Sequence, residues 1–92
     1  MSIVKIINDS GGTSGGSGGG ISLITENVSS QATGTNINFS TSEQFIDDSV
    51  QVYVNGLLQT PESDYTEDSD NLGITFGQAP ESSDIVILIY SV

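Results

Sequence analysis

The chain has 92 residues, enough for one small domain, and its 12 Asp and Glu face a single Lys5, for a net charge of −11. That balance excludes recognition of nucleic acid and attachment to an anionic membrane, since both need clustered cations. With neither Cys nor His there are no disulfides, no thiolate metal sites and no imidazole base, so a domain this small is expected to gain stability by oligomerising or by docking on a larger assembly.

Ile3-Val4-Lys5-Ile6-Ile7 is a β-prone run with branched residues on both sides of Lys5, and Asn8-Asp9-Ser10 breaks it. Ser10 to Gly20 has no apolar side chain and reads as a Gly/Ser linker. Residues 1–20 are therefore expected to form an arm and residues 21–92 a β domain. The arm reads either as a plain tether or as a segment laid along a neighbour. In the second case its glycines allow close backbone approach, and Ile3–Ile7 adds as a strand to another sheet.

Ile21 to Thr25 is the first expected strand of the domain, and Glu26 to Gly34 is polar and turn-rich. Thr35 to Ser40 alternates, with Ile37 and Phe39 on one face. Ser42 to Asp48 holds a single helical turn or a loop, with Phe45 and Ile46 plugging one end of the core. Val50, Val52 and Val54 then alternate with Gln51 and Tyr53, the period-2 pattern of a half-buried strand. Asn55-Gly56 supplies the two positive-φ residues of a type I′ hairpin, and Leu57 to Gln59 is the returning strand.

Thr60 to Asp64 turns, Tyr65 to Glu67 is a short strand, and Asp68 to Asn71 turns again. Leu72, Ile74 and Phe76 alternate with Gly73 and Thr75, and Gly77 to Asp84 is a turn that includes Pro80. Ile85 to Tyr90 is apolar on both faces, so one face is expected in the core and the other against a second sheet or a partner chain. The sum is an all-β chain: a small antiparallel β-sandwich or barrel of about six to eight short strands, behind an extended Gly-rich N-terminal arm.

Chemistry has little to work with. Carboxylate pairs such as Asp68 with Asp70 are available, but a glycosidase-type pair needs a sugar cleft, and a chain with three Phe, three Tyr and no Trp offers little to build one. Glu67-Asp68-Ser69-Asp70-Asn71 is rich enough in oxygen for Ca²⁺, yet it lacks the EF-hand spacing and reads equally as an Asp-rich turn. The glycine run is followed by neither Lys-Ser/Thr nor a helix, so it is not a phosphate loop. No catalytic residue, cofactor or metal ligand is assigned. The negative charge serves solubility or attraction to a basic partner.

Six features occur in order over residues 45–92: the hairpin Val52-Tyr53-Val54-Asn55-Gly56-Leu57-Leu58-Gln59, then Asp64-Tyr65-Thr66, Ile74-Thr75-Phe76, Ala79-Pro80, Asp84-Ile85-Val86 and a final Tyr90. This half of the chain resembles a β module of bacteriophage virion proteins, found in tail fibres and in small head or tail accessory proteins. It departs from the family in the turn before Asp64, where Pro61-Glu62-Ser63 stands in place of the usual glycine.

The resemblance implies a non-enzymatic structural role in a virus particle. Met1 to Val92 carries little beyond the module and its arm, which favours a capsid decoration, or cement, protein over a tail component that attaches to the host. Such a protein would sit on the capsid surface of the virion and clamp neighbouring copies of the major capsid protein, often as a homotrimer. Val86, Leu88 and Tyr90 are then the candidate subunit contacts. Ile3, Val4, Ile6 and Ile7 are the candidate arm contacts.

Overall fold

The structure, a computed structural model, describes residues 22–92. The expected arm, with Ile3, Val4, Ile6 and Ile7, lies outside the described residues. Seven strands follow in chain order: β1 (Leu23–Asn27), β2 (Asn38–Ser40), β3 (Gln51–Val54), β4 (Leu57–Leu58), β5 (Tyr65–Glu67), β6 (Gly73–Phe76) and β7 (Val86–Ser91). They form two antiparallel sheets, ordered β1-β7-β3-β4 and β2-β6-β5, and a single 3-10 turn at Ser29–Gln31 is the only helical element among the described residues. The fold is the all-β, sandwich-like one that the alternation predicts.

The strand pattern sets the core. From the four-stranded sheet, Val52, Val86, Leu88 and Tyr90 turn inward, with Ile24 and Val54 packed against them. From the three-stranded sheet, Phe39, Tyr65, Ile74 and Phe76 join the same cluster. Phe39 meets Phe76 edge-on with ring centroids 5.1 Å apart, the aromatic geometry that sets a positive ring edge against a negative face. Tyr65 buries its ring, and its hydroxyl donates to the Val50 carbonyl at 2.7 Å, so the one polar atom it brings inside is satisfied.

The β3–β4 hairpin has the expected turn: φ is 52° at Asn55 and 83° at Gly56. A Cβ added at Gly56 would meet nothing within 4 Å, so a substitution there is opposed only by the left-handed backbone. Gly56→Val is expected to lower stability by about 1–2 kcal/mol in urea titration, and Gly56→Asn by less. Equal stability of the Val variant would mean that the turn relaxes to another type.

Three local expectations are corrected. β1 runs on to Asn27 rather than ending at Thr25, because Glu26 finds partners on the inner face and the alternation continues through it. Ser42–Asp48 takes the loop of its two expected forms, and within it Phe45 plugs the core as expected, but Ile46 does not and is 46% exposed. Ile37 precedes β2 and is exposed, leaving Phe39 as the inward residue of that strand.

Candidate interaction surface

Val86, Leu88 and Tyr90 are each 0% exposed and lie in the centre of the core, so they cannot be the subunit contacts expected of them. β7 is the second strand of its sheet, flanked by β1 and β3, and its even-numbered side chains face the other sheet. The other set, Ile87 and Ile89, faces outward.

The register shows what surrounds that outward pair. Ile87 stands opposite Asn27 on β1 and Tyr53 on β3, and Tyr53 in turn opposes Leu58 on β4. Ile89 stands opposite Thr25 and Gln51, and Leu23 opposes Ser91. Residues paired across an antiparallel ladder share a face, so these side chains make one surface. It is apolar along Ile87, Ile89, Tyr53 and Leu58, with amides and hydroxyls beside them. Leu23 is 66% exposed and Leu58 60%.

No charged residue among the described ones belongs to this surface. Among the described residues the carboxylates fall in the loops or, for Glu26 and Glu67, on strands at positions that pair with core residues. The outer face of the three-stranded sheet is different again. It carries Asn38, Ser40, Thr66 and Thr75, and Asn38 Nδ2 donates to Thr75 Oγ1 at 2.9 Å. One outer face is dressed for water, as antiparallel sheets usually are, and the other is not.

The acidic residues mainly hold turns. Glu67 accepts the backbone N–H of Asp48 at 2.8 Å and that of Val50 at 3.0 Å. Asp68 Oδ1 accepts the Thr75 hydroxyl at 2.7 Å, Asp70 accepts the Leu72 N–H, and Asp47 accepts from Asn71. Asp47, Asp48, Glu62, Glu67 and Asp68 rim an open concavity of about 470 Å³, but among the described residues no three carboxylates come together as a metal-binding group. The carboxylates of the 67–71 turn each face a different partner.

Glu26 is the acid that the sequence reading missed. It lies on the inner face of β1, where the Tyr90 hydroxyl donates to its Oε1 at 2.5 Å and the Ser42 N–H at 3.0 Å. Burial works against its charge, but the hydrogen bonds from Ser42 and Tyr90 overcome that and hold the carboxyl below its ordinary value of 4.5. Burial, with the Glu26 charge beside it, pushes the Tyr90 phenol up. A carboxyl with a depressed folded pKa stabilises the fold above its unfolded pKa, and that contribution disappears as pH falls through the folded value. Wild type should therefore be more stable than Glu26→Gln at pH 7, with the difference shrinking below about pH 4. Urea midpoints of the two proteins at pH 7 and pH 3 measure this, and a difference that does not vary with pH would refute it.

Comparisons with protein-family models, with curated proteins and with solved structures return no match.

Proposed function

We propose that the chain is a non-enzymatic structural protein of a bacteriophage particle, a capsid decoration protein that binds across neighbouring major capsid subunits on the head surface. The observation that carries this reading is the ordered series of short motifs from Val52 to Tyr90, which resembles the β module of phage virion proteins. The architecture is compatible with it. β3 to β7 are built from those motifs, so the module accounts for most of both sheets. A binding role is supported by the surface: Glu67, Asp68 and Asp70 are engaged in holding turns, and the extended uncharged area among the described residues is a sheet face rather than a cleft.

The experiment is removal of this protein from phage heads, followed by heating or osmotic challenge. Heads lacking it should burst at a lower temperature than decorated heads, and adding the purified protein back should restore the difference. Unchanged head stability would sink the proposal. A labelled antibody that marks the tail tip instead of the shell would point to the other member of the resemblance, a tail component that attaches to the host.

A further inference from the structure

We propose that the outer face of the four-stranded sheet, centred on Ile87, Ile89, Tyr53 and Leu58, is a contact between copies of this chain. The inference is independent of the decoration reading, since it uses only the distribution of side chains over the domain.

Three observations lead to it. The first is the mismatch between the two outer faces. A strand of a sheet with one solvated face alternates apolar with polar residues, and β6 does so, but β7 has Ile87 and Ile89 on the side away from the core. Its neighbours extend that apolar strip across the sheet, through Tyr53 to Leu58.

The second observation is charge, and it selects the occupant. Two copies each carrying −11 repel over most of their surfaces. Among the described residues the outer face of this sheet carries no carboxylate, so copies meeting here set none of those like charges against each other. A partner drawn by the acidity of the chain would be basic, and it would find nothing on this face to pair with.

The third observation is self-complementarity. A two-fold contact sets a patch against its own copy, so its polar groups must be able to pair with themselves. The polar groups of this face are the side chains of Thr25, Asn27, Gln51 and Ser91 and the Tyr53 hydroxyl; each carries both a donor and an acceptor, and all but Asn27, whose Oδ1 accepts the Ser29 N–H at 3.0 Å, are without a side-chain hydrogen bond among the described residues. Carboxylates and ammonium groups lack that property, and they are the types missing here.

The test is sedimentation equilibrium of the full chain over a wide concentration range. The wild-type protein should be heavier than the 9.6 kDa monomer, and raising the salt should strengthen the association by screening the net charge. Leu58→Glu and Ile87→Glu should each weaken association at least about tenfold, because a carboxylate then has to be desolvated against an apolar strip. Far-UV circular dichroism checks that each variant is folded, and the well-exposed position 58 keeps the test available if Ile87→Glu is not.

A second readout uses the absence of native cysteine. In Gln51→Cys, reaction with maleimide should slow as protein concentration rises, whereas in Ser69→Cys, on the loop between β5 and β6, it should not change. The proposal fails if the wild type is monomeric at all concentrations. It also fails if assembly survives both glutamate variants, or if assembly is lost instead on changing Ile3 and Ile6 to Glu, which would place the contact on the arm.

Discussion

Replacing Leu88 with Ala is expected to cost about 2–5 kcal/mol, while Ile89→Ala, one residue along the same strand, costs about 1 kcal/mol or less. Leu88 is 0% exposed and faces Val52 and Glu26 across the ladder inside the core. Its loss leaves a cavity lined by both sheets. For a domain of this size, whose whole stability is on the order of 5–10 kcal/mol, that is a large share, and the melting temperature should fall by at least about 10 °C. Thermal unfolding of the two alanine variants, measured side by side on dilute samples, separates the faces of β7. Equal losses from both would show that the sheet is packed on both sides within one chain.

Gly73→Ala is the second large effect, and it comes from overcrowding. β6 begins at Gly73, opposite Ser40 of β2, and a Cβ built there would sit 2.7 Å from the Phe39 carbonyl oxygen and 2.9 Å from Asp68 Oδ2. The carbonyl is backbone, in a strand whose side chain fills the core, so it cannot move aside cheaply. Asp68 is also held, through its other oxygen, by the Thr75 hydroxyl. The expected cost is about 1–3 kcal/mol in chemical denaturation. Gly77→Ala is the control: its Cβ would meet nothing closer than 3.8 Å, and its backbone is not left-handed, so it should be nearly neutral. A neutral Gly73→Ala would mean that β2 and β6 can separate without loss.

Much of this architecture was legible because several signals were local. Val50, Val52 and Val54 announce a strand by spacing alone, and Asn55-Gly56 names its turn by the φ values those two residues tolerate. Asn71, with φ of 58°, is likewise a turn residue of the expected kind. What was illegible depended on the third dimension. Ile85 to Tyr90 is apolar at every position, so periodicity cannot say whether odd or even residues face inward; only the pairing with β1 and β3 decides it. Glu26 looked like the start of a loop because a lone carboxylate is rarely placed on the inner face of a strand. The donors that admit it, Tyr90 and Ser42, lie 64 and 16 residues away. The candidate surface was missed for the same reason as the face of β7, since it is assembled from four strands of which two meet only through the long connection to β7. The arm residues Ile3, Val4, Ile6 and Ile7 fall outside the described residues.

Gln31 has a larger consequence than its place in a short turn suggests. Its side-chain amide donates to the Ser40 carbonyl at 3.1 Å and accepts the Ser40 N–H at 2.8 Å, imitating a neighbouring strand along β2. Asn36 does the same for the N–H of Asn38. β4 is only two residues long, with the Leu57 carbonyl taken by Gln59, and on β5 the Tyr65 carbonyl is taken by Glu62. Among the described residues, three of the four sheet margins are thus stubby or already occupied, and β1, five residues long, is the one that no described strand or side chain covers. Edge-to-edge growth is therefore open at one margin only, so by that route two copies can pair but a continuous sheet cannot propagate. Concentrated solutions of this protein should therefore stay free of cross-β fibres grown edge to edge, which thioflavin fluorescence checks.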